Sequence, residues 1–364
     1  MNLSSPLEVA NSFQALSLAE PPSCSIEKST TVRNAHNDDV HGMIQLSSDT
    51  FVSGSKDGCL KLHDIKARAS RSVQQKERID YKKWITALTP AGDNHWLSGT
   101  RDGTVTLWEN SGEFVRKLNV APPNVQRSGT SKPRNLERVN CLTASVPKPN
   151  NVIYYVGRPT HFSVHSIDLI SGKERNLGFH ETSKNDWVYC LNELLPFRML
   201  VTTGDKLEIW ARDGRRWEFS RSLINPGRAG RGEQRPFISS VKPLSHAPES
   251  SFGLAVFDGS VRSIDVESGK TTFHAQEHKG RVWTIENIFE HIFASCSDDH
   301  TIKVWDLRDP KKSQLTIGGN IGRVSSILKL SDSKMVSASC PDDLRKTEER
   351  AQLTFWDIRK TEEA

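Results

Sequence analysis

Nowhere along its 364 residues does the chain string together the ~20 apolar residues that a membrane-crossing helix requires, which excludes a helical membrane protein. It also lacks paired cysteines. Cys24, Cys59, Cys141, Cys190, Cys296 and Cys340 form no C-x-x-C, so they read as small buried hydrophobes in a reducing compartment. The histidines show no H-E-x-x-H spacing, and the GRAGRG run at 227–232 has no strand-to-helix transition around it. Neither a metal nor a nucleotide or flavin cofactor is therefore expected. The first 22 residues have no basic start and place Glu8 inside their only apolar stretch, unlike a secretory signal. These absences predict a cytoplasmic protein, or a nuclear one in a eukaryote. A large excess of either charge is missing too: a net of +5 permits acidic partners without demanding nucleic acid.

What is present is repetition. Residues 278–307 read as three short strands, VWTI, HIFASCS and TIKVWDL, separated by Asp-type turns. Aligned on Trp305, the same order recurs seven times, with anchors His63, Trp108, Ile167, Trp210, Ile264, Trp305 and Trp356, spaced 45, 59, 43, 54, 41 and 51 residues apart. An Asp follows five anchors (Asp64, Asp168, Asp265, Asp306, Asp357), and a turn Asp precedes four by six residues (Asp57, Asp102, Asp258, Asp299). Ser53, Ser98 and Ser295 each stand ten residues before an anchor. This tandem pattern over residues 25 to 358 resembles the WD40 repeat, one four-stranded propeller blade per copy.

The resemblance implies an all-β fold, a seven-bladed β-propeller of four-stranded antiparallel blades. The blade cores are expected at 36–76, 80–120, 137–180, 186–224, 236–276, 278–318 and 322–358. The last copy is one strand short, so the strand-like segment SIEKSTTVR (25–33) is expected to complete it and close the ring. The propeller thus covers 25–360, behind a tail at 1–24 whose Ser5-Pro6-Leu7-Glu8 spacing would cap a short helix over about 6–18. Within that tail, PLEVANSFQAL resembles the opening of an F-box, a module that docks an adaptor of ubiquitin ligases; a loosely packed cap or a disordered tail is the reading preferred over it.

His278, Ser295 and Asp299 invite a hydrolase reading. The WD40 resemblance instead implies a hydrogen-bonded scaffold that also includes Trp305, and blade one repeats it with His36, Ser53 and Asp57. A group present twice points to structure, since catalysis needs one site; the chain is not expected to be an enzyme. Blades three, four, five and seven depart from the pattern and are expected to rely on apolar packing.

In a propeller, the residues entering each innermost strand surround one mouth of the central channel. They read Asp39, Trp84, Arg138, Trp187, Phe237, Arg281 and Arg323, with His41, Thr86, Asn140, Tyr189, Ser239, Trp283 and Ser325 just inside and Lys56, Arg101 and Asp298 on the adjoining turns. Arginines and aromatics dominate this set, as they dominate binding hot spots. Two basic segments, 121–137 and 225–235, are expected over the same face, and 340–351 enlarges a turn of blade seven. The reading is a non-catalytic scaffold that holds a protein partner across the narrow face, its ligand an acidic or phosphorylated segment suited to the Arg fork. The alternatives are the substrate receptor of a ubiquitin-ligase-type complex and an RNA-binding propeller. No membrane partner is expected.

Overall fold

The computed structural model describes residues 24–360 apart from 68, 74–83, 121–137, 149, 160, 182–186, 196–197, 204–205, 214–215, 225–236, 249, 311 and 346. The helix and the F-box-like segment expected in the tail, and both basic loops, lie outside the described residues.

Short runs of β-branched and aromatic residues broken by Asp, Gly and Ser favour strands and turns. The described residues form seven four-stranded antiparallel sheets, each a meander in chain order except the last. That last sheet pairs Arg323–Ser331, Lys334–Cys340 and Ala351–Lys360 with Cys24–His36 from the start of the chain. Ile26 faces Ile358, Lys28 faces Trp356, and Val32 faces Leu353. The N-terminal strand therefore closes the seventh blade, running from Cys24 to His36, longer than expected at both ends. The innermost strands, Val40–Gln45, Ile85–Pro90, Cys141–Lys148, Val188–Leu195, Ile238–Pro243, Val282–Asn287 and Arg323–Ser331, contact one another in sequence and the last meets the first.

The core lies between blades. Seven apolar clusters occupy the seven interfaces; one joins Val40 and Phe51 to Val336 and Leu353 across the closing seam, another Val52 and Leu60 to Ile85 and Trp96. The approach is close: a Cβ on Gly54 would intrude on Ile85, and one on Gly253 on Ile285. All seven anchors occupy one register, each facing the second residue of its neighbouring strand, as in Phe51–His63, Val152–Ile167 and Phe293–Trp305. The Asp after the anchor serves the next hairpin: the Asp168 carboxylate accepts bonds from the Ser171 N–H (2.8 Å) and hydroxyl (2.9 Å), and Asp265 does the same for Ser268.

In blade six, Trp305 can only donate its indole N–H, here to Ser295 Oγ at 2.8 Å. The Ser hydroxyl must then donate to His278 Nε2 (2.8 Å), which leaves the His Nδ1–H for Asp299 (2.8 Å). Blade one builds the same chain with His63 replacing Trp: Ser53 Oγ stands 2.7 Å from both His36 Nε2 and His63 Nε2, and His36 Nδ1 stands 3.2 Å from Asp57. Shorter versions join Trp108 to Ser98 (2.9 Å) and Trp356 to Ser337 (2.8 Å). Blade seven departs from the pattern in spacing but keeps the Trp–Ser bond. Its Ser stands 19 residues before the anchor because the 340–351 segment lengthens the intervening turn. In blade four Trp210 turns to Glu208 instead (3.0 Å). In blades three and five Ile167 and Ile264 enter apolar clusters.

Burial sets the titration of this scaffold. It pushes His63 down to about 3, with the nearby His36 and Lys61 adding to the effect. Burial also lowers His278, against an opposing pull from Asp299. The same burial would raise Asp57 and Asp299, but bonds from His36 and the Asn37 and Cys59 N–H groups, and from Thr301, the Lys279 N–H and His278, outweigh it and hold each at about 2.

Two outcomes are expected. Removing residues 1–33 strips the partner strand from Ala351–Lys360 and exposes an unpaired edge; the truncated protein should melt at lower temperature and scatter light on heating. An unchanged melting curve would count against the closure. The pH dependence has one sign. A depressed histidine is protonated first in the unfolded chain, near pH ~6.5, and a depressed carboxyl first near ~4, so stability falls as pH drops from about 6.5 and levels off only near the folded values. His63→Trp copies the Phe293–Trp305 pair of blade six and removes one such histidine. It should gain about 2 kcal/mol relative to wild type between pH 7 and pH 5, read from melts across that range; parallel curves for the two proteins would rule this out.

Candidate functional site

The mouth of the channel is built by a backbone irregularity. In six innermost strands the pairing register slips near the start, at the second residue of five and the third of Arg323–Ser331, placing His41, Thr86, Tyr189, Ser239, Trp283 and Ser325 at bulges. A bulge re-aims its side chain off the ladder. Where that side chain is small and polar it tethers the next blade: Thr86 donates to the Val139 carbonyl, Ser239 to Val282 (2.6 Å) and Ser325 to Val40 (2.8 Å). Asn140, at the equivalent place in blade three, donates to Val188 (2.9 Å). The three large residues, His41, Tyr189 and Trp283, make no such tether.

Blades one to three supply cations. Trp84 is flanked by Lys56 Nζ, 4.9 Å from its ring centroid, and by the Arg101 guanidinium at 3.9 Å. Lys56 also pairs with Asp38 at 3.5 Å. Arg138 stands near Arg101; burial and that like charge both lower its pKa, and its Nε is buried without a hydrogen-bond partner. Among the described residues no carboxylate pairs with Arg101 or Arg138.

Blades four to six supply aromatics. Trp187 and Tyr189 have ring centroids 6.2 Å apart, Tyr189 and Phe237 5.3 Å, Phe237 and Phe257 5.9 Å, and Phe257 and Trp283 5.3 Å. Arg281 leans over Phe257 at 5.3 Å. Phe257, at the centre of this arc, was not foreseen from the sequence. Its signal was its place directly before the turn Asp258, matching Lys56 before Asp57 and Arg101 before Asp102.

Carboxylates stand where blades six, seven and one meet. Asp298 accepts the Trp283 indole N–H at 2.6 Å, and Asp342 lies 2.8 Å from His300. Arg323 closes both arms of its fork on Asp39, at 2.8 Å each; its guanidinium is committed inside the mouth rather than open to a partner. His41, between these acids and the cations of Arg138 and Lys56, is driven down to about 4, mainly by burial, and its Nε2 has no partner. Asp38, Asp39 and Cys340 bring ligand atoms within 4.8 Å of one another. With Asp39 held by Arg323 and the Cys340 thiol pushed up to about 12 by burial, this donor set does not fit a metal ion.

The two Ser-His-Asp chains have the order of a hydrolytic triad, yet Ser53 and Ser295 are fully buried. Each Ser oxygen is also capped on its far side, by His63 or Trp305. No substrate carbonyl can reach either oxygen.

Residues 27–64, 74–109 and 269–306 match the family model described as WD domain, G-beta repeat. No curated protein matches the sequence. Among solved structures the chain is similar to the WD40 β-propeller domain of Doa1, at 14% identity and a TM-score of 0.66, over 91% of this chain and 96% of that one. The likeness at this identity is one of fold. Among the described residues no helix is long and apolar enough to cross a membrane. With seven blades and a strand-closed ring, the chain is a seven-bladed β-propeller, and three of its segments match the WD40 repeat.

Proposed function

We propose that the protein is a scaffold that captures a segment of a protein partner over the mouth of its channel, and that the segment brings an acidic or phosphorylated side chain to Arg101 and Arg138. The observation that carries this reading is the pair itself. Two guanidinium groups close enough to repel, one of them partly desolvated with a buried Nε that lacks an acceptor, raise the free energy of the empty mouth. An oxyanion between them relieves the repulsion and supplies the missing acceptor. Trp84 holds Arg101 in place from one side and shields it from water.

A peptide suits this mouth better than RNA. Single-stranded RNA stacks successive bases on open aromatic faces. The rings here are inclined to one another by 30° to 82° and lean on each other's edges, so they form a wall rather than a row of parallel platforms.

The test compares two degenerate peptide libraries, one with a fixed phosphoserine and one with serine at that position, probed with wild type and with Arg101→Glu/Arg138→Glu. Both side chains are half-buried and neither pairs with a carboxylate among the described residues, so the variant should still give a cooperative melt, which is checked first. Wild type should retain the phosphoserine library at least about tenfold better, and the variant should lose that preference. Equal retention of both libraries by wild type would refute the reading.

A further inference from the structure

Resting on the reading above, we infer that the ligand segment has two parts: beside its single acidic or phosphorylated residue it carries an apolar side chain, aromatic or large aliphatic, that seats against Phe257, Trp187, Tyr189 and Phe237.

This chain puts its aromatics in two kinds of place. Those inside the blades are sealed: Trp96, Trp305, Tyr154, Phe51, Phe162, Phe252 and Phe293 are essentially inaccessible. The five of the mouth are not. Tyr189, Phe237, Phe257 and Trp283 are half-buried and Trp187 is 37% exposed. They belong to three successive blades yet form one connected wall, with Phe257 touching Tyr189, Phe237 and Trp283. Trp283 packs in part on the core cluster between blades six and seven; the apolar surface that the wall leaves exposed on the rim gains free energy when something covers it.

Charge determines what covers it. The wall begins beside Arg138, whose charge is felt by Tyr189, and ends at Arg281 over Phe257 and at Asp298 on Trp283. Beyond Trp283 the charges are largely matched within the rim: Asp38 pairs with Lys56, Asp39 with Arg323 and Asp342 with His300, while Asp298 holds the Trp283 indole. A segment acidic along its whole length would gain at blades two and three and find cations already committed to carboxylates at blades seven and one. A cationic segment would meet Arg138 and Arg281 on both flanks of the wall. The occupant that satisfies every part of the rim has its negative charge confined to the Arg101–Arg138 side and an uncharged apolar side chain next to it, over blades four and five.

The indole of Trp283 is pinned by Asp298, whereas Phe257 has no polar atom to anchor it, so Phe257→Ala removes the centre of the wall without orphaning a polar group. The experiment uses the phosphoserine-fixed library with degenerate flanks and sequences what wild type, Phe257→Ala and Trp187→Ser retain. Trp187→Ser is the control should Phe257→Ala fail to fold. Wild type should enrich Phe, Tyr, Trp, Leu or Met at least about fivefold at positions on one side of the phosphoserine. Both variants should lose that enrichment while keeping the preference for phosphoserine over serine. Phosphoserine preference with no apolar enrichment, or enrichment unaffected by either substitution, overturns this inference and leaves the proposed function standing. No phosphoserine preference in wild type overturns the proposed function. Tighter retention of a single-stranded RNA probe than of any peptide would overturn both.

Discussion

Everything at the mouth depends on a closed circle of innermost strands, and the circle is closed by backbone pairing between Cys24–His36 and Ala351–Lys360. An open row of seven blades would leave one apolar face unpaired at each end, because each core cluster is shared by two neighbours. Closure turns seven marginal sheets into a body in which every face is covered, and no single blade needs to be strong. That explains how the hydrogen-bonded scaffold can be complete in blades one and six, shortened in two and seven, and absent from three and five.

The fold was legible in the sequence because the anchors keep one register whatever their chemistry. His63 and Ile167 stand where Trp305 stands, and spacing locates them without any need for Trp. The family model matches the segments ending at blades one, two and six, which are the blades where Ser stands ten residues before the anchor. Blade seven shares the Trp–Ser bond but hides it, since the insertion at 340–351 moves Ser337 out of step. A bond that spans a variable turn leaves no fixed spacing to read.

The mouth was half legible. Listing the residues that enter each strand gathered the right neighbourhood, because propeller geometry fixes it. That list could not separate side chains used by the protein from those left open. The separation comes from the bulge near the start of the strand, a property of pairing with no local sequence signature. Thr86, Ser239 and Ser325 are consumed as tethers between blades, and Arg323 is consumed by Asp39, 284 residues away in sequence. Tyr189 and Trp283 are too large to tether, so the same bulge turns them toward the rim.

This division bears on why the mouth is charged as it is. Where the fold needed neutrality it obtained it: Arg323 faces Asp39, Lys303 faces Glu277, and Arg308 faces Asp306. Arg101 and Arg138 break that habit at a position where tethers and apolar clusters already hold blades two and three together. Two like charges, one desolvated, oppose folding and contribute nothing to packing that an aliphatic residue would not. Such a locally unfavourable arrangement persists where surrounding structure over-determines it, and this is the physical ground of the proposed anion site. Under that proposal, Trp187 and Phe257, partly exposed in blades four and five, are where the footprint of the ligand would extend from the cations.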